Sequence, residues 1–97
     1  MPTDRLFFAL GAVFAGLSVA FGAFGAHGLR NSLSLEDLDI FETGARYQMY
    51  HALALLAVAW AYARWEAPLI QFAGWLFVAG LVIFSGSLYA LVLTGQR

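Results

Sequence analysis

The sequence predicts an all-α membrane helical bundle, with three transmembrane helices and a short amphipathic interfacial helix between helices 1 and 2. Three uncharged apolar runs carry this reading: Leu6 to Ala26, Tyr47 to Ala63 (interrupted only by His51) and Phe72 to Leu93. As helices, the first and third are long enough to cross a hydrocarbon core of about 30 Å, and the second sits at the short end of that range. The chain is 62% hydrophobic and 11% charged, with mean hydropathy +0.76, whereas soluble domains carry about 25% charged residues. The runs lack the polar face that a helix in water presents, so lipid is their expected solvent.

The whole chain, 1–97, reads as one integral-membrane domain. Its spans are expected at about 6–27, 46–64 and 70–94, and the interfacial helix at about 35–42. Net charge is -1, so no basic surface points to nucleic acid. The absence of cysteine removes disulfides, thiolate metal sites and cysteine nucleophiles together. The first run follows Arg5 and carries small residues at Ala23 and Gly25, as a secretory signal does, but it is longer than a signal core of about 7–15 residues. It reads as a retained span.

Helix 1 carries Gly11, Ala15, Ser18, Gly22 and Gly25 at spacings of four, three, four and three. In lipid, helices associate through close backbone approach, so this stripe is expected to be a packing seam. Phe7, Phe14, Leu17 and Phe21 are assigned to the opposite face. Gly28 to Asn31 should end the helix, and Ser34 should cap the next one, with Glu36, Asp37 and Asp39 near its positive end. Leu35, Leu38 and Phe41 form one side of the segment 35–42, and Glu36, Asp39 and Glu42 another, as in a helix lying on the membrane surface. Gly44 is expected to turn the chain into helix 2.

Tyr47 and Tyr50 mark one interface of helix 2, and Trp60, Tyr62 and Trp65 the other. Pro68 suits the start of helix 3. Ala73, Gly80, Ser87 and Thr94 form a sparser seam there. Orientation is balanced: Arg5 and Arg64 share one side, against Arg30, Arg46 and Arg97 on the other.

Polar residues in or beside the spans are His27, Gln48, His51, Gln71, Ser85, Ser87 and Tyr89. Ionisable groups at membrane depth are functional candidates. His27 closes helix 1 and His51 lies about one turn into helix 2, so both are expected at the same interface, close enough to share a ligand. Three roles are open: a histidine bonded to a neighbouring carbonyl, a polar pocket for a ligand or headgroup, and a metal or proton site. Two histidines alone make a poor zinc site. The candidate polar site is His27, Thr43, Arg46, Tyr47, Gln48 and His51. Enzyme motifs such as the serine elbow, His-Glu-x-x-His and the phosphate loop are absent, so no enzyme and no cofactor are expected.

Two blocks, Gly22-Ala23-Phe24-Gly25-Ala26-His27-Gly28-Leu29 and Phe41 through Leu56, together with Phe84-Ser85-Gly86-Ser87-Leu88-Tyr89, resemble the domain of unknown function 423 family. These are small multi-pass membrane proteins that include YgdD and transmembrane protein 256. The resemblance covers nearly the whole chain. It implies a bundle, usually of four helices, in the bacterial inner membrane, and no known activity; the signature picks out His27, Thr43, Gly44, Tyr47, Gln48 and His51. The family pattern runs on into a fourth helix, so the chain is expected to be truncated or to complete its bundle with another chain. Together these readings predict a non-enzymatic binding or structural component. Its partners would be the bilayer and either further copies of itself or another membrane protein. The alternative is a small oligomeric transporter or channel-like subunit.

Overall fold

A computed structural model describes residues 2–29 and 31–94; Met1, Arg30 and 95–97 fall outside it, so the expectations for Arg30 and Arg97 are not addressed by the structure. Three helices follow one another: α1 (Thr3–His27), α2 (Leu35–Trp65) and α3 (Pro68–Thr94). Ser34 caps α2, its hydroxyl accepting from the Asp37 amide at 3.1 Å. Glu66 closes α2 in the left-handed region (φ 46°), and its amide donates to the Tyr62 carbonyl. Two residues later Pro68 opens α3. The end of α1 is closed by the Gly28 amide donating to the Phe24 carbonyl.

The expected interfacial helix is not a separate element. Residues 35–42 are the first two turns of α2, and Gly44 lies inside that helix. The cause is a stripe in unbroken helical phase. Phe41, Ala45, Gln48, Ala52, Leu55 and Ala59 are all buried, at spacings of four, three, four, three and four. A turn at Gly44 would separate Phe41 from the rest of this stripe. At 1.5 Å per residue α2 is roughly 46 Å long, matching the 48 Å long axis of the molecule.

The antiparallel helix α2 packs along both α1 and α3. A Cβ on Gly11 would stand 2.9 Å from the Ala52 carbonyl oxygen, and one on Gly25 would stand 2.8 Å from the Phe41 ring. On the other side, a Cβ on Gly44 would meet the Tyr89 ring at 2.8 Å, and one on Gly80 the His51 ring at 3.3 Å. Parallel helices α1 and α3 meet through aromatic side chains, Phe7 on Trp75 (5.1 Å between centroids) and Phe21 on Tyr89 (5.3 Å).

Of the expected α1 seam, Gly11, Ser18 and Gly25 are buried, but rings assigned to the opposite face share that side, and the buried stripe of α3 differs from the expected one. Phe7 is fully buried and anchors the core with Leu55, Val58 and Ala59, and Phe14 packs against that cluster. Phe7, Phe14 and Phe21 each precede Gly11, Ser18 and Gly25 by four residues, so helical geometry puts them on the same face. The buried face of α1 thus alternates ring and small residue: Phe7, Gly11, Phe14, Ser18, Phe21, Gly25. Gly22 stands aside from it, with no neighbouring atom within 4 Å of a Cβ. In α3 the buried stripe is Gly74, Leu81, Ser85 and Val92, while Ser87 and Thr94 are exposed.

Two helices, α1 and α3, are long and apolar enough to cross a membrane, with mean hydropathies of 2.1 and 2.3. Only 17% of each apolar window is buried inside the protein. Much of the rest faces outward: Leu69 is 77% exposed and Ile83 70%. A water-soluble protein of this size does not present such continuous apolar surface. By composition α2 does not meet the same standard, because Gln48, His51 and several tyrosines lower its hydropathy.

Candidate functional site

The polar side chains at the centre of the bundle are spent on tying its helices together. Gln48 is only 3% exposed and sits at the middle of α2. Its Nε2 donates to the Phe14 carbonyl of α1 at 2.8 Å, and its Oε1 accepts from the Tyr89 hydroxyl of α3 at 2.8 Å. Ser18 of α1 donates to the Ala45 carbonyl at 2.5 Å, and Ser85 of α3 donates to the Gly44 carbonyl at 2.7 Å. All three acceptor carbonyls lie within helices, where the second lone pair of each oxygen remains free. In an apolar surround such bonds join helices that no hydrophobic force holds together.

Small residues make this clasp possible. Gly44 lets the Tyr89 ring lie on the α2 backbone, which carries the phenol to Gln48. Phe41 packs on the same ring at 5.0 Å. Tyr89 and Ser85 were visible in the sequence as polar residues of helix 3, but nothing in their spacing linked them to Gln48. Phe14, which contributes only its backbone, carried no polar signal.

The six residues of the expected site point in three directions. Gln48 faces the bundle interior. Arg46 lies outside, paired with Glu42 one turn earlier at 3.1 Å. Thr43 donates to the Asp39 carbonyl of its own helix at 2.9 Å. Tyr47 stands at the α3 side, edge-on to Phe84 at 5.2 Å and to Tyr50 at 5.3 Å. His51, half-buried, places Nδ1 2.7 Å from the Tyr47 carbonyl and its ring edge-on to Phe77 at 6.2 Å.

The two histidines are not brought together. Ala52, next to His51, is level with Gly11 of α1, while exposed His27 ends that helix sixteen residues further on, roughly 24 Å along the axis. The shared interface expected for them fails because α2 starts ten residues earlier than the sequence suggested, which moves His51 to mid-helix.

The accessible part of this region is a groove between the C-terminal half of α1 and the N-terminal half of α2. One open cavity of about 470 Å³ is lined by Gly22, Gly25, Ala26, Leu38, Phe41 and Glu42. A second continues it past Gly22 and Ser18 to Ala45, Arg46 and Tyr50. The floor is made of small and apolar residues, and the Glu42–Arg46 pair stands on its edge.

Comparison with known proteins agrees with a membrane setting. The family described as Protein of unknown function (DUF423) matches residues 21–97. The chain belongs to this family. Its curated relatives carry the name UPF0382 membrane protein. The one from Staphylococcus aureus (strain bovine RF122) is 48% identical over 93% of this chain and 73% of its own length. That of Staphylococcus saprophyticus is 47% identical over 96% and 77%. YwdK of Bacillus subtilis (strain 168) is 46% identical over 93% and 74%. No solved structure gives a significant match.

Proposed function

We propose that this DUF423 chain is a non-enzymatic, multi-pass component of the bacterial plasma membrane that binds another membrane helix in the Gly22 groove. All three helices cross the bilayer in this reading. Helix α2 is held along its length between two helices that are apolar enough to span, so it crosses wherever they do. Its polarity is no obstacle, because Gln48 is satisfied inside the bundle and Arg46 is paired with Glu42.

The observation that carries the binding role is the division of labour among polar groups. Among the described residues, Ser18, Gln48, Ser85 and Tyr89 spend their polar groups on interhelical bonds, which supports a binding or structural role over chemistry. The groove remains open, and its small residues permit the close backbone approach on which helix association in lipid depends. Its occupant is a second copy of this chain or a different membrane protein.

The absence of native cysteine gives a clean background for the test. Gly22→Cys in native membranes should form a disulfide or maleimide crosslink to a partner helix, whereas Val13→Cys, on an outward-facing surface, should not. Crosslinking from neither position, or equally from both, would overturn the groove. Impermeant maleimide should reach Ser32→Cys and Glu66→Cys from opposite sides of the membrane; labelling of both from one side would overturn three spans.

A further inference from the structure

A second groove lies at the opposite end of the bundle, between the first turns of α1 and the last third of α2. It is an open cavity of about 400 Å³ lined by Asp4, Arg5, Phe8, Leu56, Ala59, Trp60 and Ala63. Its floor is apolar and its mouth is charged. Arg64 does not line the cavity but lies against Trp60, which does: its guanidinium carbon is 5.3 Å from the Trp60 ring centroid and 5.7 Å from that of Trp65. The two indoles meet edge to face at 5.5 Å, and the cation lies against both rings. Exposed tryptophans with arginines are the side chains that settle at headgroup level.

The charges at this mouth carry both signs. Arg5 and Arg64 offer guanidiniums that match a phosphate in geometry, and Asp4 offers a carboxylate beside them. A purely anionic ligand would leave Asp4 facing like charge. A headgroup with a phosphate and a primary ammonium satisfies both, and the ammonium can donate hydrogen bonds that a choline cannot.

We propose that this groove binds a phosphatidylethanolamine-type lipid, with its phosphate at Arg5 and Arg64, its ammonium at Asp4 and an acyl chain along Phe8, Leu56 and Ala59. The proposal rests on the membrane reading above but not on the Gly22 groove.

Trp60 lines the site and supplies the readout. With Trp65→Phe and Trp75→Phe, Trp60 becomes the sole tryptophan, because the chain has three. The full chain is reconstituted in vesicles in which a fixed fraction of host lipid is replaced by a dibrominated-chain phosphatidylethanolamine, phosphatidylglycerol or phosphatidylcholine. Bromine quenches Trp60 only at contact. The ethanolamine lipid should bind about threefold better than the choline lipid, the scale of one or two water-exposed ion pairs, and better than the glycerol lipid. Asp4→Asn should bring the ethanolamine-to-choline ratio near one, whereas Arg5→Gln should weaken both lipids without changing that ratio, and Arg5→Lys should retain binding. Unchanged Trp60 emission in vesicles without bromine shows that each variant is folded.

Equal quenching by all three lipids would overturn the proposal and leave the membrane reading intact. Preference for phosphatidylglycerol would replace it with an anion site. Soluble glycerophosphoethanolamine should not restore the fluorescence; recovery on adding it would show that the headgroup alone occupies the site and would overturn the acyl-chain contact. No quenching by any lipid would remove Trp60 from the bilayer and the membrane reading of α2 with it.

Discussion

Tyr89 donates its hydroxyl proton to Gln48 Oε1 across 2.8 Å, and the same amide donates from Nε2 to the Phe14 carbonyl. One side chain of α2 therefore holds both neighbouring helices. Gln48→Leu should lower stability by about 1–2 kcal/mol, because each interhelical bond in lipid is worth roughly 0.6 kcal/mol and the partners lose their pairing as well. Tyr89→Phe should cost about 0.6 kcal/mol. The double variant should cost little more than Gln48→Leu alone. Thermal unfolding in mild detergent, followed by circular dichroism, decides this, and strictly additive losses would show that the two residues are not coupled.

The glycines of α1 divide by what surrounds them. A methyl group on Gly11 would meet the Ala52 carbonyl oxygen at 2.9 Å, where the obstacle is backbone and cannot rotate away. Gly11→Ala should therefore destabilise by about 1–3 kcal/mol, the range for overpacking. Gly22 has no atom within 4 Å of a Cβ, so Gly22→Ala should be neutral or stabilise by up to about 1 kcal/mol through helix propensity. Melting temperatures of the two variants measured side by side check the order, and a greater loss at Gly22 would overturn it.

The sequence made the three helices legible because each apolar run is bounded by strong signals: Ser34 before α2, Pro68 at the start of α3, and Gly28 after α1. Which residues face inward was less legible. A small-residue stripe at heptad spacing cannot show whether the rings four residues away belong to the same face, and Phe7, Phe14 and Phe21 do. The start of α2 was misplaced because Glu36, Asp37, Asp39 and Glu42 look like surface residues, and Glu36, Asp39 and Glu42 are exposed. They nevertheless share a helix with the buried stripe that begins at Phe41. That shift alone carried His51 from the interface to mid-helix and separated it from His27. Gln48 was identified as a site residue, but its partners were hidden, since one is a backbone carbonyl and the other lies 41 positions away.

His51 tests how far polarity at membrane depth implies a structural load. Its Nδ1 faces the Tyr47 carbonyl, which can only accept, so Nδ1 carries a proton, and Nε2 lies on the Gly80 side. The bonded carbonyl belongs to α2 itself, and the helix satisfies it without the imidazole. His51→Leu should thus change stability by less than about 1 kcal/mol, well below Gln48→Leu, because no bond between helices is lost. Unfolding of both variants in the same detergent compares them. A larger loss at His51 would mean that its Nε2 holds a partner across the α2–α3 interface.

The Phe7 ring occupies the place that a side chain on Gly74 would need, since a Cβ there would stand 2.5 Å from the ring's Cζ atom. This is how α1 reaches α3 at the apolar end of the bundle, with Trp75 edge-on to the same ring at 5.1 Å. Phe7→Ala removes a fully buried ring and should cost about 3–5 kcal/mol by opening a cavity. Gly74→Ala alone should cost about 1–3 kcal/mol through overpacking. Combined, the two should not add. With the ring gone, the new methyl group fills part of the vacated space, so Gly74→Ala should become neutral or stabilising in the Phe7→Ala background. A four-way comparison of unfolding free energies gives the sign directly. The same cost for Gly74→Ala in both backgrounds would mean that ring and glycine do not interlock.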